Sequence, residues 1–176
     1  MWERILSFNR CGSHKSEISD DCDTLKNMSQ YATFDDANLI LRLYEIRREG
    51  RMREARRWFA RNFGPSTVAE YRAICTPGTD EDEYVRMVVS YYEMVASFIT
   101  KEVLSTDLYF ATGGELGLVY SRIEPVLADL RTATGHPGMF KNLEIVAKQY
   151  GEYLDAQATG NWEGFKKRTR GMILAK

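Results

Sequence analysis

The sequence has few of the residues that most simple chemistries require: 3 cysteines, 2 histidines and 4 prolines in 176 residues. Cys11, Cys22 and Cys75 are odd in number and unevenly spaced, which excludes the disulfide framework of a small secreted domain. His14 and His136 lie far apart, so a histidine nucleophile or general base has no support. No run approaches the ~20 apolar residues of a membrane-spanning helix. Met1 to Arg10 lacks the apolar stretch and small-residue cleavage site of a secretory leader. A formal net charge of -1 gives no global pull towards nucleic acid or anionic lipid. The expectation is a reduced, cytoplasmic protein with no cofactor, and no peripheral membrane contact by residues 1–10.

Hydrophobic residues make up 44% of the chain, enough for one self-sufficient core. Composition shifts at about residue 32. Residues 1–32 read as a short helix followed by the polar segment Cys11–Gln30, where only Ile18, Cys22, Leu25 and Met28 are apolar, and a flexible segment is expected. Residues 33–176 read as a single helical bundle. Thr33 or Asp35 caps a helix to about Glu49, where Gly50 offers a left-handed stop. Arg51 to Phe63 follows, with Met52, Ala55 and Phe59 at helical spacing, and Gly64-Pro65 ends it. Ser66 to Cys75 is a short third helix.

Thr79 caps the longest helix, and Asp80, Glu81, Asp82 and Glu83 in its first turn suit the positive end of the helix dipole better than they suit a cation site. From Tyr84 to Leu104 apolar residues cover almost the whole circumference, leaving a narrow polar stripe through Arg86, Ser90, Glu93 and Ser97. Such a helix belongs at the centre of the fold. Beyond it, Ser105 caps a short helix that Gly113-Gly114 breaks. Glu115 to Thr134 is helical, with Pro125 expected to kink or split it. A further amphipathic helix runs from Met139 to Leu154, and a short basic one from Asn161 to Arg170. No strand-like alternation occurs. The expected fold is all-α, a bundle of about six to eight helices around the apolar helix at about 79–104.

Four stretches carry a family resemblance: Glu54-Ala55-Arg56-Arg57; Val89-Ser90-Tyr91-Tyr92-Glu93 with Val103-Leu104-Ser105-Thr106-Asp107-Leu108; Arg122-Ile123-Glu124-Pro125 with Leu130-Arg131; and Phe140-Lys141-Asn142-Leu143-Glu144. In that order, over about Leu39 to Leu154, the chain resembles a family of helical bacterial proteins known only as a domain of unknown function. The resemblance implies a helical fold and supplies no catalytic residues. Many members of that family carry a membrane-spanning helix before the domain, and Met1 to Phe8 is too short to be one.

Candidate sites are few. Cys11, His14 and Cys22 match no standard zinc spacing, so no metal is expected. Gly113-Gly114-Glu115-Leu116-Gly117 lacks the strand before it and the lysine after it that a phosphate loop needs. Arginines crowd the first hairpin, residues 42–61, with Arg47, Arg48, Arg51, Arg56 and Arg57 the candidates for contact with a partner. Interleaved glutamates favour a solvated or intramolecular role over nucleic acid. Glu93 stands out as a carboxylate on an otherwise apolar helix. It is expected either to pair with Arg56, Arg57 or Arg131, or to line a pocket. The leading functional expectation is a non-enzymatic module that binds a protein partner or associates with itself. The alternative is a small-molecule or nucleic-acid binding protein using a pocket near Glu93 or the arginine-rich hairpin.

Overall fold

A computed structural model describes residues 31–173; the short helix expected over Met1–Arg10 and the polar segment Cys11–Gln30 lie outside the described residues. Eight helices and no strand are present among the described residues: α1 (Phe34–Arg48), α2 (Gly50–Asn62), α3 (Val68–Ile74), α4 (Asp80–Thr100), α5 (Thr106–Thr112), α6 (Glu115–Thr134), α7 (Lys141–Gln157) and α8 (Asn161–Arg170).

Their starts follow from local capping chemistry. The Thr33 hydroxyl accepts from Asp36 N at 3.2 Å, and the Asp36 carboxylate accepts from Thr33 N at 2.7 Å, a reciprocal box that satisfies two orphan donors. The other Asp36 oxygen accepts from Ser105 N at 2.6 Å, tying the start of α1 to that of α5. The Thr67, Thr79 and Ser105 hydroxyls cap α3, α4 and α5 by accepting from Glu70 N, Asp82 N and Leu108 N, without the reciprocal bond. The break between α1 and α2 differs from expectation. Gly50 is not a left-handed stop but the first residue of α2. Glu49 interrupts the helix with an extended backbone (φ −53°, ψ 145°), and its carboxylate accepts from Met52 N at 2.9 Å. One residue therefore ends α1 and caps α2.

The apolar helix α4 is central, with α2 packed along one side and α7 along another. Val88, Tyr91 and Val95 are buried, and Phe98 is half-buried. It shares the centre with α6, which buries ten of its 20 residues against nine of 21 in α4. Pro125 does not split α6, which runs unbroken from Glu115 to Thr134. The carbonyl four residues before Pro125 has no amide to accept from. That carbonyl, Ser121 O, instead accepts from Arg170 Nε of α8 at 2.9 Å. Arg170 also pairs with Glu124 at 2.6 Å, and the Ser121 and Thr169 hydroxyls meet at 2.9 Å. The last helix is thus fastened to the proline position.

Aromatic packing seats the other side of α8. Tyr150 meets Phe110, Trp162 and Phe165 edge-on, and Trp162 and Phe165 stack at 5.6 Å. The close approach needs glycine. A Cβ on Gly117 would lie 2.9 Å from Tyr150 Cδ1, and one on Gly151 would lie 2.9 Å from Trp162 Cδ1. Overpacked contacts of that kind typically cost ~1–3 kcal/mol.

Candidate functional site

Glu93 is half-buried on α4 and pairs with no arginine among the described residues. Its carboxylate accepts three hydrogen bonds from the start of α7: Asn142 N at 3.2 Å, Asn142 Nδ2 at 2.8 Å and Leu143 N at 2.8 Å. The residue before α7, Phe140, has a left-handed backbone (φ 52°) and provides no side-chain cap. Glu93 supplies that cap from a neighbouring helix, where its charge also suits the positive helix end. The expected partners are engaged elsewhere. Arg56 binds Glu115, Arg131 binds Glu144 at 2.7 Å and the Met139 carbonyl, and Arg57 is exposed. An open groove of about 550 Å³ lies nearby, between Tyr71, the Val85–Ser90 stretch of α4 and Phe140, and Glu93 does not line it.

Arg122 is a second charged cap, and sequence reading missed it. Only 1% exposed, it donates from Nη1 to Phe63 O at 2.7 Å and from Nη2 to Ala60 O at 2.8 Å. These carbonyls lie at the C-terminal end of α2, where a positive charge complements the dipole. Burial, helped by the nearby Arg170, pulls the Arg122 guanidinium down to about 10. Its Nε has no hydrogen-bond partner among the described residues. The signal was in its position: Arg122 sits between Val119 and Val126 on the buried stripe of α6, where an apolar residue is the norm.

A polar cluster joins α1, α2 and α6 to the tyrosines of α4 and α5. Arg56 grips Glu115 with two parallel bonds, Nε to Oε1 at 2.5 Å and Nη2 to Oε2 at 2.6 Å, and its Nη1 reaches Arg47 O at 3.1 Å. Arg47 joins Glu115 at 3.2 Å and lies 4.4 Å from the Tyr44 ring centre. Tyr44 and Tyr91 donate to Thr112 O and Leu43 O, at 2.9 and 2.8 Å. Burial, with the Glu115 carboxylate nearby, pushes the Tyr92 hydroxyl far above its usual range and keeps it a neutral phenol. Tyr44, Tyr92 and Glu115 were not singled out from sequence. They lie on three different helices, and their types and spacing match no motif.

The hairpin arginines divide into two groups. Arg47 and Arg56 turn inwards to Glu115, and Arg51 binds Asp80 at 2.6 Å, Glu83 at 3.3 Å and the Tyr84 hydroxyl at 3.0 Å. Arg48 and Arg57 are exposed. The remaining sequence candidates are dispersed. His136 is exposed in a turn, and burial pushes the Cys75 thiol up to about 11, leaving it a poor nucleophile at neutral pH. Cys11, His14 and Cys22 lie outside the described residues. Among the described residues, no three His, Cys, Asp or Glu side chains are grouped to hold a metal ion. No described helix is long and apolar enough to cross a membrane.

Two large apolar side chains of α1 face outwards where solvent is expected. Helix α1 buries Ile40 and Leu43 on its inner side, yet Phe34 is 80% and Leu41 62% exposed on the outer side. Phe34, Asn38, Leu41, Glu45 and Arg48 follow one another at spacings of four and three, so they form one stripe.

Residues 32–150 match the family described as Domain of unknown function (DUF4760). The chain belongs to this family. The match covers all of α1 to α6 and most of α7, including Glu93, Arg122 and the Arg47–Arg56–Glu115 cluster, while α8 lies beyond it. No curated protein and no solved structure matches the chain.

Proposed function

We propose that this domain is a non-enzymatic, self-associating module whose contact surface is the outer face of α1. The observation that carries the reading is the exposure of Phe34 and Leu41 on a helix whose opposite side already fills the core. Charge complementarity selects a second copy as the occupant. The exposed Asp35 stands in the first turn of α1 and the exposed Arg48 in its last, while Asp36 and Arg47 are engaged within the fold. An antiparallel pair centred on Leu41 brings Leu41 against its own counterpart. Phe34 then lies beside the opposing Arg48, and acidic and basic ends meet. Such an arrangement is isologous and closes as a dimer.

A helix face of 15 residues buries less than the roughly 1,200–2,000 Å² of a stable interface, so the association is weak and concentration-dependent. The alternatives have less support. The Glu93 carboxylate is occupied by the start of α7, and three of the five candidate arginines, Arg47, Arg51 and Arg56, are bound to carboxylates. Cytoplasmic residence belongs to the same proposal, supported by an odd set of three cysteines with Cys75 a free thiol.

Sedimentation velocity across a concentration series tests the proposal. The full chain is expected to shift from monomer towards dimer as concentration rises, and Leu41→Glu to remain monomeric with unchanged helical content. A wild-type chain that stays monomeric at every concentration, or a Leu41→Glu variant that dimerises equally, overturns it.

A further inference from the structure

Behind the inner face of α1 lies a cavity of about 20 Å³, whose lining includes Leu43, Tyr44, Arg47, Tyr92, Thr112 and Glu115. A space of that size holds one water-sized guest or a few atoms. Two polar groups from its walls are buried without a hydrogen-bond partner among the described residues, the Tyr92 hydroxyl and Arg47 Nε. Tyr92 as a whole is 1% exposed. Orphaned buried polar groups are rare in folded proteins, and each usually has a partner of some kind.

The walls also indicate what the partner is. Two acceptors in them, Thr112 O and Leu43 O, are already bonded to the Tyr44 and Tyr91 hydroxyls. The groups left over are an N–H that can only donate and a phenol that can donate. Among the described residues the guanidiniums of Arg47 and Arg56 share the single carboxylate of Glu115, leaving one positive charge in excess. We propose that this cavity binds a single small monovalent anion of halide size, held by Arg47 Nε and the Tyr92 hydroxyl. Bound there, the anion receives both orphan donors and neutralises the surplus charge between α1, α2 and α6. A water satisfies the donors and leaves the charge.

Melting in sodium chloride and in sodium gluconate at equal ionic strength tests this, because gluconate is too large for the cavity. The comparison is made on the full chain and on Tyr92→Phe, which removes only a hydroxyl that stands beside Arg56 without a well-formed hydrogen bond among the described residues. In gluconate the variant is expected to melt at or above the wild-type temperature. On changing from gluconate to chloride, the wild type is expected to gain about 2–4 °C relative to the variant. A chloride response of equal size in both proteins overturns the proposal. Crystals grown in sodium bromide give an independent reading. An anomalous peak between Arg47 Nε and the Tyr92 hydroxyl supports it, and a water at that place without anomalous signal overturns it.

Discussion

Glu93 and Arg122 stand on the two central helices, α4 and α6, and both use a charge on the end of a neighbouring helix, yet their surroundings are opposite. Glu93 sits at a half-buried rim, accepts three hydrogen bonds and relieves an N-terminus with no cap of its own. Arg122 is wholly enclosed and donates to two carbonyls, and its Nε has no hydrogen-bond partner among the described residues. The difference shows how a bundle tolerates a buried charge without a buried ion pair. A helix end supplies partial charge of the right sign from fixed backbone groups. Taking a full charge out of water costs several kcal/mol, so the enclosed arginine is the more delicate of the two.

Removing each charge should separate the sites, and Arg122→Ala is expected to have the largest effect. It leaves two C-terminal carbonyls unsatisfied and a void in the core, costing about 3 kcal/mol or more in denaturant titration. A loss below about 1 kcal/mol, the scale of one ordinary hydrogen bond, refutes the role given to its guanidinium. Glu93→Ala comes next, at ~1–2 kcal/mol, the usual range for losing an N-cap. Glu93→Gln keeps one acceptor oxygen and should cost roughly half as much. Equal losses for the two substitutions contradict a capping role.

The smallest effect belongs to Asp36, which caps its own helix and also reaches Ser105 N. Its hydrogen bonds to the Thr33 hydroxyl and amide hold its carboxyl below the usual aspartate range. Its contribution is therefore complete above the unfolded value of about 3.9 and is lost as pH falls through the lower folded value. The stability gap between wild type and Asp36→Asn should stay level from neutral pH to about pH 4 and close in stronger acid. A gap that does not change with pH removes the carboxylate from the explanation.

What the sequence disclosed follows the same division between local and distant partners. Thr33 and Thr79 are legible as caps because each bonds an amide three residues away. The apolar girth of α4 is legible because periodicity is a property of one segment. Glu93 was conspicuous for its place on that helix, but two of its three donors are backbone amides 49 and 50 residues later, which have no residue type to betray them, and the third is the uncharged Asn142 side chain. Arginine was the natural guess for the partner, and it was wrong for that reason. Arg122 was named only as part of a family stretch and not as a candidate site residue, although an arginine between Val119 and Val126 breaks the apolar stripe. Gly50 was read as a stop because glycine often is one, while Glu49 made the break with its own carboxylate.

The proline in α6 has a wider consequence. A helix with every amide in place is closed along its length and offers neighbours only side chains. Pro125 leaves one rung of that ladder unfilled, and Arg170 fills it from 49 residues further along the chain. Positions 125 and 170 therefore form a lock and its key. If residue 125 regained an amide, the Ser121 carbonyl would be claimed from within α6 and Arg170 would lose that bond. If residue 170 lost its guanidinium, the gap would open to water. A change at either position therefore alters the value of the other.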